Sequence, residues 1–236
     1  MIKDYRSQSE LILGIARDLC QRLNISPAPE ILSWQARYFG SSGQPSPPLS
    51  NRFSKGGGNE RPVSPDFPVI ISNKVLLNPI MDGKLEPEEW APLLASSLIF
   101  YRRLRGQNNR GALLRFSPMF LVLGLFLVLL AAGASSIVPL TPVEFVIFGV
   151  VVVPVTGIFS LFRVMQFSRS LGLLSDRKAA DVVGRDQLLG VLRRLDAFRQ
   201  QDVQEGRRKN WIGYGDLPSL GKRLENVQSM ETYKTV

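Results

Sequence analysis

The sequence predicts an α+β protein, mainly α, with one domain built from two polar segments and a two-helix membrane hairpin inserted between them. Three observations carry that expectation. Two apolar runs, residues 116–137 and 143–162, interrupt an otherwise polar chain of 236 residues, and between Arg115 and Arg163 the only charged residue is Glu144. Apolar side chains recur at three- and four-residue steps in three of the polar stretches. Only two short runs, residues 30–34 and 67–72, read as strands.

The hairpin follows from length and charge. A bilayer core about 30 Å thick takes about 20 apolar residues in a helix, and both runs reach that length. A buried hairpin in a large soluble core is the competing reading, but soluble core helices rarely stay uncharged for so long. Ser117 and Pro118 suit the entry to the first span, where a missing N–H costs little. Residues 135–144 (SSIVPLTPVE) read as a turn outside the hydrocarbon. Pro154 lies inside the second span and is expected to kink it. Gly124, Gly133, Ala134, Gly149 and Gly157 permit close helix contacts. The expected divisions are 1–115, the hairpin 116–162, and 163–236.

Basic residues give the orientation. Arg102, Arg103, Arg105, Arg110 and Arg115 precede the first span, while Arg163, Arg169, Arg177 and Lys178 follow the second. The turn between the spans has no Lys or Arg, so the positive-inside rule places both polar segments and both termini in the cytoplasm. Plasma and internal membranes are not distinguished. Residues 1–18 carry charges throughout, so no cleavable signal peptide is expected. The single cysteine, Cys20, cannot form an intrachain disulfide, in keeping with a reducing compartment.

A formal net charge of +9 suits either nucleic acid or anionic lipid. Arg102, Arg103, Arg105, Arg110, Arg115 and Arg163 crowd the ends of the spans, which favours lipid head groups. No zinc-finger spacing, helix-turn-helix or ribonucleoprotein motif supports nucleic acid.

The polar segments read as follows. Ser7-Gln-Ser-Glu10 is a capping-box pattern, followed by Leu11, Ile12, Ile15, Ala16, Leu19 and Leu23 at helical spacing, with the end near Asn24. Residues 30–34 (EILSW) form a strand. Residues 40–62, rich in Gly, Ser and Pro, form a long mobile loop. Its Lys55-Gly-Gly-Gly58 lacks the spacing of a phosphate loop. Residues 67–72 (FPVIIS) form a second strand, and 74–81 a helical turn. Pro87 opens a helix whose first-turn dipole Glu86, Glu88 and Glu89 complement. Trp90, Leu93, Leu94, Leu98, Tyr101 and Leu104 form its buried face. Residues 168–200 are mostly helical, with a break at Gly184 and a stripe of Leu188, Leu189, Leu192, Leu195 and Phe198. A short helix is expected over 219–230.

The chain has no histidine, which removes the usual activator of a serine or cysteine nucleophile. Ser96 and Ser97 have no lysine at i+3 or i+4 and read as small packing residues. Cys20 reads as a core thiol. Asp176 and Arg169 are expected to form a structural ion pair.

Several short segments stand in a suggestive order: Leu94-Ala-Ser-Ser-Leu-Ile-Phe100 before the hairpin, then Ser168-Arg169, Asp176 and Ala179-Ala-Asp-Val-Val-Gly184 after it. Leu217-Pro-Ser219 with Arg223 closes the series. Over residues 11–227 this order resembles the HtpX-like membrane zinc metallopeptidases. The resemblance implies a zinc-binding helix at residues 94–100, with Ser96 and Phe100 where two histidines belong and Ser97 in place of the general-base glutamate. It likewise implies that Gly172 stands where a third ligand, a glutamate, belongs, and Leu217 where a histidine would be.

Zinc hydrolysis needs imidazole or carboxylate ligands and a base for the bound water. The expectation is therefore a catalytically inactive peptidase-like membrane protein without a cofactor, a structural or adaptor subunit of a membrane complex. Its expected partners are the bilayer and other membrane subunits, not nucleic acid. In the family, the strand beside the active helix offers an edge to an extended peptide, which implies that Val69, Ile70, Ile71 and Ser72 bind a partner by strand addition. The alternatives are an active membrane protease with a non-standard site and an anionic-lipid-binding protein.

Overall fold

A computed structural model describes residues 5–39, 44–45, 60–134, 141, 148–207, 211 and 217–231. The chain forms two compact units: Met1–Arg105 with Leu171–Val236, and Gly106–Ser170.

In the first unit, α1 (Tyr5–Arg22) buries Ile12, Ala16, Leu19 and Cys20, one stripe at helical spacing, and Leu23 just past its end is buried too. It begins at Tyr5, so Ser7 lies within the first turn instead of capping it. The strand expected at residues 30–34 is β1 (Ile31–Trp34). The helical turn expected over 74–81 is mostly a strand. β6 (Lys74–Leu77) pairs in parallel with β1 and antiparallel with β5 (Val69–Ile71), giving the order β1-β6-β5. As the central strand, β6 buries Val75, Leu76 and Leu77 in succession, which erases the alternation that would mark a half-exposed strand. Ser72, at φ +49°, helps turn the chain between β5 and β6. Only Pro79–Met81 forms a 3-10 turn, with the Asn78 side chain accepting from the Ile80 N–H at 3.0 Å.

A second sheet takes its two edge strands from the segment expected to be a loop. β2 (Arg37–Phe39) lies between β3 (Gln44–Pro45) and β4 (Glu60–Pro62), both antiparallel to it. Pro45 and Pro62 are tolerated because β3 and β4 are edge strands of this sheet. The rest of the predicted loop, including Lys55–Gly58, lies outside the described residues.

A 3-10 turn, Pro87–Glu89, leads into α2 (Trp90–Leu98), with Pro87 in the first turn as expected. The Glu86 N–H donates to the Glu89 carboxylate at 2.8 Å, and Arg194 pairs with the same side chain at 2.5 Å. Instead of burying one face, α2 is enclosed all round: every residue over 92–100 is buried, with α1, β5 and α5 (Arg185–Gln204) packed against it. From Ile99 to Arg103 the helix widens into a π turn, closed by the Leu104 N–H on the Ile99 carbonyl at 2.9 Å.

α4 (Val153–Val183) ends at Gly184, φ +97°, as the predicted break requires. α5 then buries Leu188, Leu189, Val191, Leu192 and Leu195. The predicted short helix is α6 (Leu220–Gln228), which buries Leu220, Arg223 and Val227.

The second unit holds α3 (Arg105–Ala134) and the first part of α4, preceded by a π turn over Phe148–Val152. α3 starts well before the predicted entry, so Pro118 lies inside it. Its ring removes the N–H that would bond the Leu114 carbonyl, and the neighbouring Ser117 hydroxyl donates to that carbonyl at 2.7 Å. At Pro154 the π turn takes up the irregularity, and Thr156 donates to the Val152 carbonyl at 2.8 Å. The two helices pack on each other. A Cβ at Gly111 would meet the Phe167 ring at 2.0 Å, and one at Gly157 would touch Met119 at 3.8 Å. The expected turn at 135–144 lies, apart from Thr141, outside the described residues.

Two stretches are long and apolar enough to cross a membrane, Arg105–Leu129 and Gly149–Val183, and their most apolar windows are 0% and 6% buried. Leu121 and Ile158 are 74% and 68% exposed. Soluble core helices would be covered, so the buried-hairpin alternative does not describe these segments.

Candidate functional site

Ser96 and Ser97 sit in the middle of α2, both 0% exposed, and neither hydroxyl has a hydrogen-bond partner in the described structure. A buried hydroxyl left unpaired costs about 1–3 kcal/mol. Ser97→Ala is therefore expected to raise stability by about 1 kcal/mol, read as a higher melting temperature of the detergent-purified protein. A loss of stability would show that the hydroxyl makes a native bond.

Phe100 enters the π turn at 7% exposure and packs edge-on against Phe67 at 5.5 Å and Tyr101 at 5.1 Å. On its other side Phe67 lies 4.9 Å from the Arg223 guanidinium. Arg223 is fully buried and grips Asp176 through two bonds, Nε to Oδ2 at 2.9 Å and Nη2 to Oδ1 at 2.8 Å. Its Nη1 donates to the Asp66 backbone carbonyl at 2.5 Å and lies 3.4 Å from the Asp66 carboxylate. Ser64 in turn donates to that carboxylate at 2.5 Å. Burial alone would lower the Arg223 pKa, but the Asp176 carboxylate and then Asp66 outweigh it and hold the guanidinium charged. The ion pair expected between Asp176 and Arg169 is corrected: Asp176 is taken by Arg223, 47 residues away in the chain.

Gly172 lies one helical turn before Asp176. A Cβ there would stand 2.6 Å from Pro218 Cδ and 3.0 Å from its Cγ. The segment 217–219 thus occupies the space that a longer side chain at 172 would need. Phe67 and Arg223 link the end of α2 to this part of α4.

The residues at the implied ligand positions do not fit a zinc ion. The Ser96 hydroxyl, the Phe100 ring and Gly172 supply no imidazole, thiolate or carboxylate donor, Ser97 supplies no general base, and Pro218 fills the third ligand position. Among the described residues, no group of three or more His, Cys, Asp or Glu side chains gathers where a metal ion would be held. Burial pushes the Cys20 thiol above its ordinary pKa, with Arg102 working against it, so Cys20 stays a neutral core thiol.

Of the residues marked for partner binding, Val69–Ile71 form an edge strand, since among the described residues β5 pairs only with β6, and Ser72 follows it. Val69 and Ile70 are 3% and 4% exposed, Ile71 is half-buried, and the Ser72 carbonyl accepts from Arg102. The Val69 side chain packs with Val63 and Leu76, so it is spent on the core.

The six arginines marked for lipid divide. Arg102 is bonded to Ser72, and Arg115 lies 3.7 Å from the Phe167 ring while donating to the Gly111 carbonyl at 3.0 Å. Arg163 lies 5.9 Å from the Phe159 ring. Arg103, Arg105 and Arg110 are exposed.

One cluster escaped the sequence reading. Asp202, 3% exposed near the end of α5, accepts from Trp211 Nε1 at 2.7 Å and from Arg207 at 3.1 and 3.2 Å, with Lys84 at 4.0 Å. The Trp211 bond, followed by Arg207 and Lys84, holds its carboxyl below the usual carboxylate range despite burial. Its signal was a carboxylate seven residues after Leu195, on the apolar stripe. Because the folded pKa is depressed, Asp202 contributes stability above its unfolded pKa of about 3.9, and the contribution fades as pH falls through the folded value. Asp202→Asn is expected to lower the melting temperature at pH 7 and to flatten its fall as the pH drops below the unfolded carboxylate value. An unchanged acid limb would remove Asp202 from that role.

The fold and this site define a mainly helical chain with a small sheet and two helices long and apolar enough to span a membrane. Comparison with protein-family models, curated proteins and solved structures finds no match.

Proposed function

We propose that this chain is a catalytically inactive, peptidase-like integral membrane protein that serves as a structural or adaptor subunit of a membrane complex. The observation that carries the reading is the filling of the implied ligand positions: Pro218 against Gly172, and the Phe100 ring against Phe67. A helix flanked by β5, tied through Phe67 and Arg223 to the Gly172 helix, supports the framework half of the reading. The exposed apolar helices support the membrane half, and the arginine distribution supports a cytoplasmic location for both termini in this reading.

The β5 edge is the partner surface in this reading. Val69 and Ile70 are buried as whole residues, so a partner strand would engage the open end of the edge, at Ile71 and Ser72, through backbone hydrogen bonds. Purification from native membranes in mild detergent tests the role. The expected result is a second protein in fixed stoichiometry that is lost when Ile71 is replaced by proline on the β5 edge. A particle containing this chain alone overturns the adaptor assignment.

A further inference from the structure

α5 carries an exposed face, with Asp186, Gly190 and Arg193 open, that no described contact of its own unit covers. A groove of about 570 Å³ runs along it, lined by Asp186, Leu189, Gly190 and Arg193, with Arg185 and Gln228 at one end. That end is fixed: Arg185 donates to the Val227 carbonyl at 3.0 Å and the Gln228 carbonyl at 3.1 Å, pinning the end of α6 to the start of α5. The charges above it are little engaged. The Asp186 side chain is 98% exposed and lies 3.7 Å from Arg185, and Arg193 makes no ion pair or hydrogen bond among the described residues. Gly190 sits inside the helix, and a Cβ there would meet nothing within 4 Å. Glycine in an exposed helix interior is poorer than alanine by about 1 kcal/mol, and no contact among the described residues requires it.

The order of these residues is self-complementary. Asp186 precedes Gly190 by four positions and Arg193 follows it by three, about 10 Å apart along the axis. A second copy of α5, laid antiparallel on the Gly190 face with the crossing midway between residues 186 and 193, brings each Asp186 opposite the partner's Arg193. A two-fold contact requires this reciprocity. The missing side chain at Gly190 lets the two backbones approach at the crossing.

We propose that the chain self-associates through an antiparallel, two-fold α5–α5 contact centred on Gly190 and registered by reciprocal Asp186–Arg193 pairs. The inference stands whether or not the peptidase-like reading holds. One helix pair buries less than a standard interface of roughly 1,600 Å², so confinement in the membrane supplies the effective concentration that the contact needs.

Cysteine crosslinking of the full chain in native membranes tests it, because the native Cys20 is buried. Gly190→Cys is expected to give a reducible dimer at least about 5-fold faster than Gly14→Cys, an exposed position on α1 with equal room for a Cβ. In the Gly190→Cys background, Asp186→Arg or Arg193→Asp alone is expected to slow dimer formation about 5-fold, and the two together to restore it. Unchanged tryptophan-monitored melting confirms that these exposed substitutions leave the fold intact. Equal rates at 14 and 190 overturn the contact, as does a crosslinked product of any mass other than the dimer. Failure of the double exchange to restore the rate overturns the register.

Discussion

Arg223→Met is expected to lower the stability of the first unit by about 3–5 kcal/mol. Arg223 and Asp176 are both 0% exposed, so removing the guanidinium leaves a carboxylate in the interior with neither water nor partner. The Asp66 carbonyl loses its donor in the same step. All three tryptophans, Trp34, Trp90 and Trp211, belong to the first unit, so intrinsic fluorescence reports its melting separately from the hairpin. The midpoint should fall by about 10 °C. Arg223→Met combined with Asp176→Leu should recover much of the loss, since a buried ion pair replaced by apolar side chains of similar volume is often near neutral. A melting temperature unmoved by Arg223→Met would mean that the pair is not buried as described.

The second large effect is expected at Gly172, where glutamate would restore the implied third ligand. Its Cβ alone would lie 2.6 Å from Pro218, and the rest of the side chain would place a second carboxylate one turn from Asp176. Overpacking of this kind costs about 1–3 kcal/mol, and burying the new charge adds to it. Gly172→Glu should therefore melt at least about 5 °C lower. Gly172→Ala should lose less, because it adds no charge and gains helix propensity. Adding Pro218→Gly to Gly172→Glu removes the ring atoms in the way and should return part of the loss. Free tolerance of glutamate at 172 would show that the space is open.

Helices were legible because their apolar stripes are local. Leu188, Leu189, Leu192 and Leu195 announce α5 unaided, and Gly184 marks its start. The sheets were less so. β6 has three consecutive buried residues, and without alternation Lys74–Leu77 reads as readily as a helical turn. β2, β3 and β4 are two or three residues long and exist through pairings such as Tyr38 with Arg61, which no local pattern encodes. Pro118 was misplaced because composition shows where hydrocarbon begins, whereas α3 had already formed over polar residues from Arg105.

The site divided in the same way. Phe100 as a filler of space was readable from its size, and the structure adds Phe67 as its neighbour. Asp176 and Arg223 were each visible as members of separate segments. Their union was not, because it joins α4 to α6, and the nearer Arg169 offered a more obvious partner. Pro218 against Gly172 was likewise invisible, being a contact between distant segments.

Zinc content of the full chain, purified in mild detergent and equilibrated with a small excess of zinc before desalting, tests the packed-shut framework most directly. The expected value is far below one ion per chain, with no chelator-sensitive peptide cleavage. One tightly held zinc per chain, together with cleavage that a chelator abolishes, would contradict the account.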